Sequence, residues 1–320
     1  MDKRGSGKAG LPAVIAPLTG KPTRIDFEYV SSTLECMIGD ASPMRDSLIQ
    51  RHPASSYFVM AFAISWLGAM AVALPYLAHG ESVPKLGGLM MFPAMLLGPS
   101  LAGIVLTARL QGWEGWRDLV ARMTRLGSLR WLAILLLPPV LVATTLWCLT
   151  FFVSPAFRPN RFLIGLSFGV AAGFIEEIGW TGFAFPAMRR SQSGLRAAIV
   201  LGVLWGLWHA PVIDYLGSAT PHGRYWLPFF LAFIFAMAAM RVLICWVAAN
   251  TRGLLLPQML HASSTGALVA LSPFRVTASQ EALWYAAYGV VLWAVVALVV
   301  ARFGKYLVRE KLSVEPTAAK

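Results

Sequence analysis

Residues 161–190 read RFLIGLSFGVAAGFIEEIGWTGFAFPAMRR, and the two adjacent acids near the middle, Glu176 and Glu177, decide how the chain is understood. Nothing else between Phe162 and Met188 is charged. An apolar run of this length crosses a bilayer, which takes about 20 residues as a helix. A charged carboxylate near the bilayer centre costs roughly 2.5 kcal/mol or more, so such groups face a wet or paired interior. Two side by side are hard to explain as packing and mark the chemistry of the chain.

The surrounding sequence agrees. Of 320 residues, 57% are hydrophobic and only 13% charged, with mean hydropathy +0.64; soluble domains average about 25% charged. Eight apolar segments are long enough to span, near 57–78, 88–108, 131–153, 162–188, 195–216, 227–250, 253–271 and 282–303. Between the second and third, Trp113, Trp116, Leu119, Val120 and Met123 recur at helical spacing among arginines, the pattern of a helix lying in the interface. The expected fold is an all-α integral membrane protein, a polytopic bundle of about eight transmembrane helices plus one interfacial amphipathic helix. Residues 1–56 are polar and mixed in charge, and read as a poorly ordered cytoplasmic tail without a signal peptide. The transmembrane domain covers 57–303, with a motif-bearing core at 130–272, and 304–320 form a C-terminal tail.

The net charge of +12 does not point to nucleic acid, because the positives cluster at segment ends. With the N-terminus inside, inner loops and the C-tail hold fourteen Lys and Arg against five outside. That bias predicts a multi-pass protein with both termini cytoplasmic. The expected partners are membrane lipid and a peptide or membrane-protein substrate. Oligomeric state is not specified by the sequence. Cys36, Cys148 and Cys245 have no metal-ligand spacing, and the last two read as core residues.

Three further strong ionisable groups sit inside spans: His209, Arg241 and His261. Counted from the nearest inner basic boundary at about 1.5 Å per residue, Glu176 and His209 lie about 20 Å deep, Arg241 about 17 Å and His261 about 14 Å. Four helices thus carry polar groups to one level, which argues for a shared site. Gly165, Gly169 and Gly173 form a small-residue ridge, as do Ala198, Gly202, Gly206 and Ala210, and such ridges let helices pack backbone to backbone. Gly165-Leu-Ser167-Phe-Gly169 spells a nucleophile-elbow pattern, but inside a helix it lacks the strand-to-helix turn that motif requires.

Three motifs in order carry a family resemblance: Glu176-Glu177-Ile-Gly-Trp-Thr-Gly-Phe, Trp205-Gly-Leu-Trp-His209 and His261-Ala-Ser-Ser-Thr265. Together they resemble the signatures of the CAAX prenyl endopeptidase and bacteriocin-processing (CPBP, or Abi) family of intramembrane proteases, over roughly residues 130–272. The resemblance implies an endopeptidase in which Glu176 is the general base, His209 helps hold the water, and His261 with Thr265 stabilises the oxyanion. Glu177 orients Glu176 and holds the helices in register. Thr181 stands where the family carries an Arg, and Thr265 where it carries an Asn. Arg241, at comparable depth, is therefore expected to partner Glu177, with Thr181 and Trp205 in support.

The cofactor stays open between zinc and none. Glu176, His209 and His261 would be the ligand set of a metallopeptidase, but the His-Glu-x-x-His helix that marks zinc proteases is absent. Two other function classes remain: a non-catalytic membrane partner or bacteriocin-immunity protein on the same fold, and a proton-coupled transporter using the acids and imidazoles as a relay.

Overall fold

A computed structural model describes residues 48–308, and all regular structure among them is helical. The expected N-terminal tail lies outside the described residues as far as 47, as does Cys36, and the C-terminal tail lies outside them from 309 onward. The helices are α1 (Pro53–Ala78), α2 (Lys85–Thr124), α3 (Leu137–Phe152), α4 (Gly165–Gly179), α5 (Phe185–Met188), α6 (Gly194–Trp208), α7 (Trp226–Thr251), α8 (Leu255–Leu271) and α9 (Ala278–Phe303). A 3-10 helix, Leu129–Leu136, runs directly into α3.

All eight expected spans are helical, but they are not equal. Among the described residues, five helical stretches are long and apolar enough to cross a membrane: Pro53–Ala78, Lys85–Thr124, Leu129–Phe152, Gly223–Thr251 and Ala278–Phe303. The three remaining segments, which carry the sequence motifs, are shorter or interrupted. The expected interfacial helix is the continuation of α2 beyond Gly112, where φ 61° and ψ −152° break the helical path. Only glycine takes such a conformation without strain. That continuation stops at Thr124 instead of running to Arg130.

The break in the Glu-Glu segment has a traceable cause. Between α4 and α5 the chain makes a π-turn, Trp180–Ala184, in which Phe185 N–H reaches back to Trp180 C=O. Pro186 has no N–H to offer the Gly182 carbonyl four residues before it. The Arg122 guanidinium takes that carbonyl instead, with Nη1 and Nη2 each 3.2 Å away. Single π-turns of this kind concentrate at functional sites.

Close packing puts the motif helices against each other. A Cβ on Gly169 would stand 2.3 Å from Ala262 O, and one on Gly173 2.4 Å from Gln258 O, so the ridge of α4 lies against the backbone of α8. On α6, a Cβ on Gly202 would meet Ala238 Cα at 2.6 Å, which seats α6 on α7. Gly179 faces α2, where an added Cβ would sit 2.0 Å from Pro99 O. The α7–α8 connection is equally tight. Arg252 adopts φ 53°, and an added Cβ on Gly253 would be 2.2 Å from Arg125 O. The chain reverses within three residues, so Arg241 and His261 return to neighbouring levels. Helix α7 runs through the middle, with 78% of its most apolar window buried against 28% for α1 at the periphery. Cys245 is buried in it, whereas Cys148 is exposed on α3 and is not a core residue.

Candidate active site

Glu176, Glu177, Arg241, His209 and His261 are all buried, none more than 8% exposed. They converge from α4, α6, α7 and α8. Glu177 is the most heavily bonded. Arg241 Nη1 stands 2.7 Å from its Oε1 and 2.8 Å from Oε2. His261 Nδ1 donates to Oε1 at 2.7 Å, and Thr181 Oγ1 donates to Oε2. A buried carboxylate is tolerated when paired and hydrogen-bonded like this. Thr181, one turn after Glu177, thus contributes a neutral donor while the cation arrives from α7.

Glu176 is held differently. Trp180 Nε1 and Trp205 Nε1 both donate to its Oε2, at 3.1 and 2.9 Å. Its Oε1 takes part in none of the site's hydrogen bonds. The two acids sit about 100° apart around the helix, so one faces the indoles and the other the Arg241–His261 pair. Trp180 follows Glu176 by four residues and lies on the same helix face. Sequence reading passed over it because tryptophans are frequent in apolar helices.

Trp205 organises the rest. Its ring meets His261 edge-on at 4.9 Å and His209 at 5.8 Å, and the Arg241 guanidinium lies over it at 4.1 Å. A cation over an indole face is an attractive contact, strengthened by desolvation. His209 Nδ1 lies 2.8 Å from the Trp205 carbonyl, which only accepts, so Nδ1 carries the proton and Nε2 presents its lone pair. Trp208 and Phe233 flank the imidazole at 4.8 and 4.9 Å. Thr265 lies half-buried on α8, one turn beyond His261, and no hydrogen bond ties it to the acids or imidazoles. Ser167 is exposed and donates to Ile164 O, away from both histidines.

The same geometry bears on the conditional metal set. Among the described residues no three His, Cys, Asp or Glu side chains stand together so as to hold a metal ion. Glu176, His209 and His261 are therefore not grouped as a zinc ligand set.

A second buried cluster was not expected. His222 bridges Asp214 Oδ1, 2.9 Å from Nδ1, and Glu281 Oε2, 3.2 Å from Nε2. Glu281 also accepts from the backbone N–H groups of Ser218 and Ala219, at 3.0 and 2.9 Å. Burial opposes a charge on this imidazole, but the Glu281 and Asp214 carboxylates outweigh it and hold its pKa above the usual histidine value. The partners are 59 and 8 residues away in sequence, so no spacing announces them.

A membrane-embedded, all-helical protein with a buried acid–imidazole–guanidinium cluster is the class these observations define. Residues 158–267 match the family model described as type II CAAX prenyl endopeptidase Rce1-like. A protein of Methanococcus maripaludis named CAAX prenyl protease 2 is 26% identical over 216 residues, covering 61% of this chain and 76% of that relative. Both findings support a relationship between the motif-bearing part of the chain and the CAAX prenyl endopeptidases.

Proposed function

We propose that this protein is an intramembrane endopeptidase that hydrolyses a peptide bond of a membrane-associated peptide or protein with water activated by Glu176. The observation that carries the reading is the unequal use of the Glu176 carboxylate. One oxygen is anchored by two indole N–H groups, one of them from the Trp205 ring that also meets both imidazoles, and the other oxygen takes part in none of the site's hydrogen bonds. A base must be held still and yet keep a lone pair available, which this arrangement provides.

Water attacks the carbonyl carbon while Glu176 takes its proton. The carbonyl π pair moves to oxygen and leaves a tetrahedral oxyanion. His209 Nε2 orients the water, and buried hydrogen-bond donors around the cluster stabilise the oxyanion. Glu176 then returns its proton to the leaving nitrogen as the C–N bond breaks, giving a carboxylic acid and an amine, and the acid proton passes to the amine to leave a carboxylate and an ammonium. Glu177 and Arg241 hold α4, α7 and α8 in register. The Methanococcus relative is named for a prenylated CAAX substrate, so a prenylated peptide ending in a CAAX sequence is the first probe to use.

The test is hydrolysis of that peptide by the full chain reconstituted in liposomes. Glu176→Gln is expected to lower kcat by about 10²- to 10⁴-fold with an unchanged melting temperature. Cleavage at wild-type rate by the Gln variant would reject the assignment.

A further inference from the structure

Arg241 uses only one of its three nitrogens in the contacts described above. Nη1 serves Glu177 and lies 3.5 Å from Thr181 Oγ1, whereas Nε and Nη2 are buried without a hydrogen-bond partner. The Tyr57 hydroxyl, from α1, is also buried and unpartnered. Donors on a buried cation are costly to leave open, and a fold that only needed to neutralise Glu177 would do so more cheaply with a smaller group. Nε–H and Nη2–H lie side by side on one edge of the planar guanidinium, the geometry that receives two oxygens of one anion.

That edge sits within the site. The guanidinium lies on the face of the Trp205 indole, 4.1 Å from its centre, and the same indole donates to Glu176 at 2.9 Å. The Tyr57 oxygen lies against Gly179, 2.5 Å from where a Cβ would stand there, less than one turn after Glu176. Tyr57 meets Trp180 edge-on at 5.5 Å and stacks on Phe183 at 5.6 Å. Thr265, the oxyanion donor expected from the motif, offers a single neutral O–H and is not bonded to the cluster.

We propose that the Nε–Nη2 edge of Arg241, together with the Tyr57 hydroxyl, receives the two geminal oxygens of the tetrahedral intermediate, which makes Arg241 a catalytic residue as well as the partner of Glu177. The inference rests on the endopeptidase reading above. When water adds to the scissile carbonyl, its proton goes to Glu176, and the carbon then carries one O⁻ and one OH. The O⁻ takes the two guanidinium N–H groups, and the OH pairs with Tyr57. Both hydrogen-bond sets are lost again as the C–N bond breaks.

Arg241→Lys keeps a positive charge for Glu177 but has no two-donor edge. With the prenylated CAAX peptide and liposome-reconstituted protein, this variant is expected to lose about 10²- to 10³-fold in kcat with KM little changed. Affinity for a phosphinate analogue of the peptide, whose tetrahedral phosphorus carries two oxygens, should fall in parallel. Tyr57→Phe keeps the ring packing and should lower kcat about tenfold, again without a KM change. Wild-type kcat and phosphinate affinity in Arg241→Lys would overturn the proposal. If that variant does not fold, Tyr57→Phe decides: unchanged kcat and phosphinate affinity there overturn it. Full activity in Glu176→Gln would instead reject the underlying endopeptidase reading, so the two failures are told apart.

Discussion

Among the described residues, two buried carboxylate–imidazole clusters are finished to different degrees. At His222 both ring nitrogens meet carboxylates, both Glu281 oxygens accept backbone N–H groups, and the ring stacks on Phe229 at 4.0 Å. A Cβ on Gly217 would stand 1.9 Å from Glu281 Oε1, so the loop is drawn tightly over the acid. Around Glu176 the polar groups are only partly used: Oε1, the Nε2 lone pair of His209, two nitrogens of Arg241 and the Tyr57 hydroxyl all stay open. Satisfied polar networks rigidify, whereas open buried polar atoms have a cost that invites a functional explanation. The first cluster is a clamp on the loop between α6 and α7, and the second is where the proposed hydrolysis would take place.

Breaking each cluster should expose that difference. The largest stability effect is expected from Arg241→Met, which leaves Glu177 as an uncompensated buried charge and should cost about 3–5 kcal/mol. Pairing it with Glu177→Gln should restore much of the loss, because two neutral residues need no mutual compensation. Thermal unfolding in detergent reads both, and a single-variant loss below about 1 kcal/mol would show that the ion pair does not hold the bundle. Next is Gly169→Val. The added atoms meet α8 backbone, and overpacking of this kind costs about 1–3 kcal/mol. Activity should fall together with stability here, since α4 and α8 carry Glu176 and His261. Stability loss with a wild-type pH–rate profile and kcat would uncouple the ridge from the site.

The smallest effect belongs to the outer clamp. His222 has a raised pKa in the folded state, so its stabilisation is complete below about pH 6.5, the unfolded value, and is lost as pH rises through the folded one. The melting temperature of the wild type should therefore exceed that of Glu281→Gln most at about pH 6, by a few degrees. The gap should narrow toward alkaline pH without vanishing, because the Ser218 and Ala219 N–H contacts do not titrate. Peptide hydrolysis by Glu281→Gln at acidic pH should match the wild type. A gap independent of pH would mean that His222 carries no charge in the clamp.

Much of the inner cluster could be read from the chain alone. Rise per residue is set by the helix, so counting from Arg189, Arg196 and Arg252 placed Glu176, His209, Arg241 and His261 near one level before any contact was known. The glycine faces followed from spacing in the same way. What counting does not supply is rotation. Trp180 and Trp205 as donors to Glu176, and the open edge of Arg241, depend on how each helix is turned about its axis. That is decided by which neighbour its small residues meet.

The sequence by itself determined the membrane class, the helical character, the level of the polar groups and the family motifs, because hydropathy and helical rise are local properties. Only the tertiary structure decided that five helical stretches reach full crossing length while the motif segments are short or broken, that Cys148 is exposed, and that Asp214, His222 and Glu281 meet at all. Those outcomes depend on backbone hydrogen bonds lost at Pro186, on loop closure and on side-chain contacts between residues far apart in the chain, none of which a period or a spacing encodes.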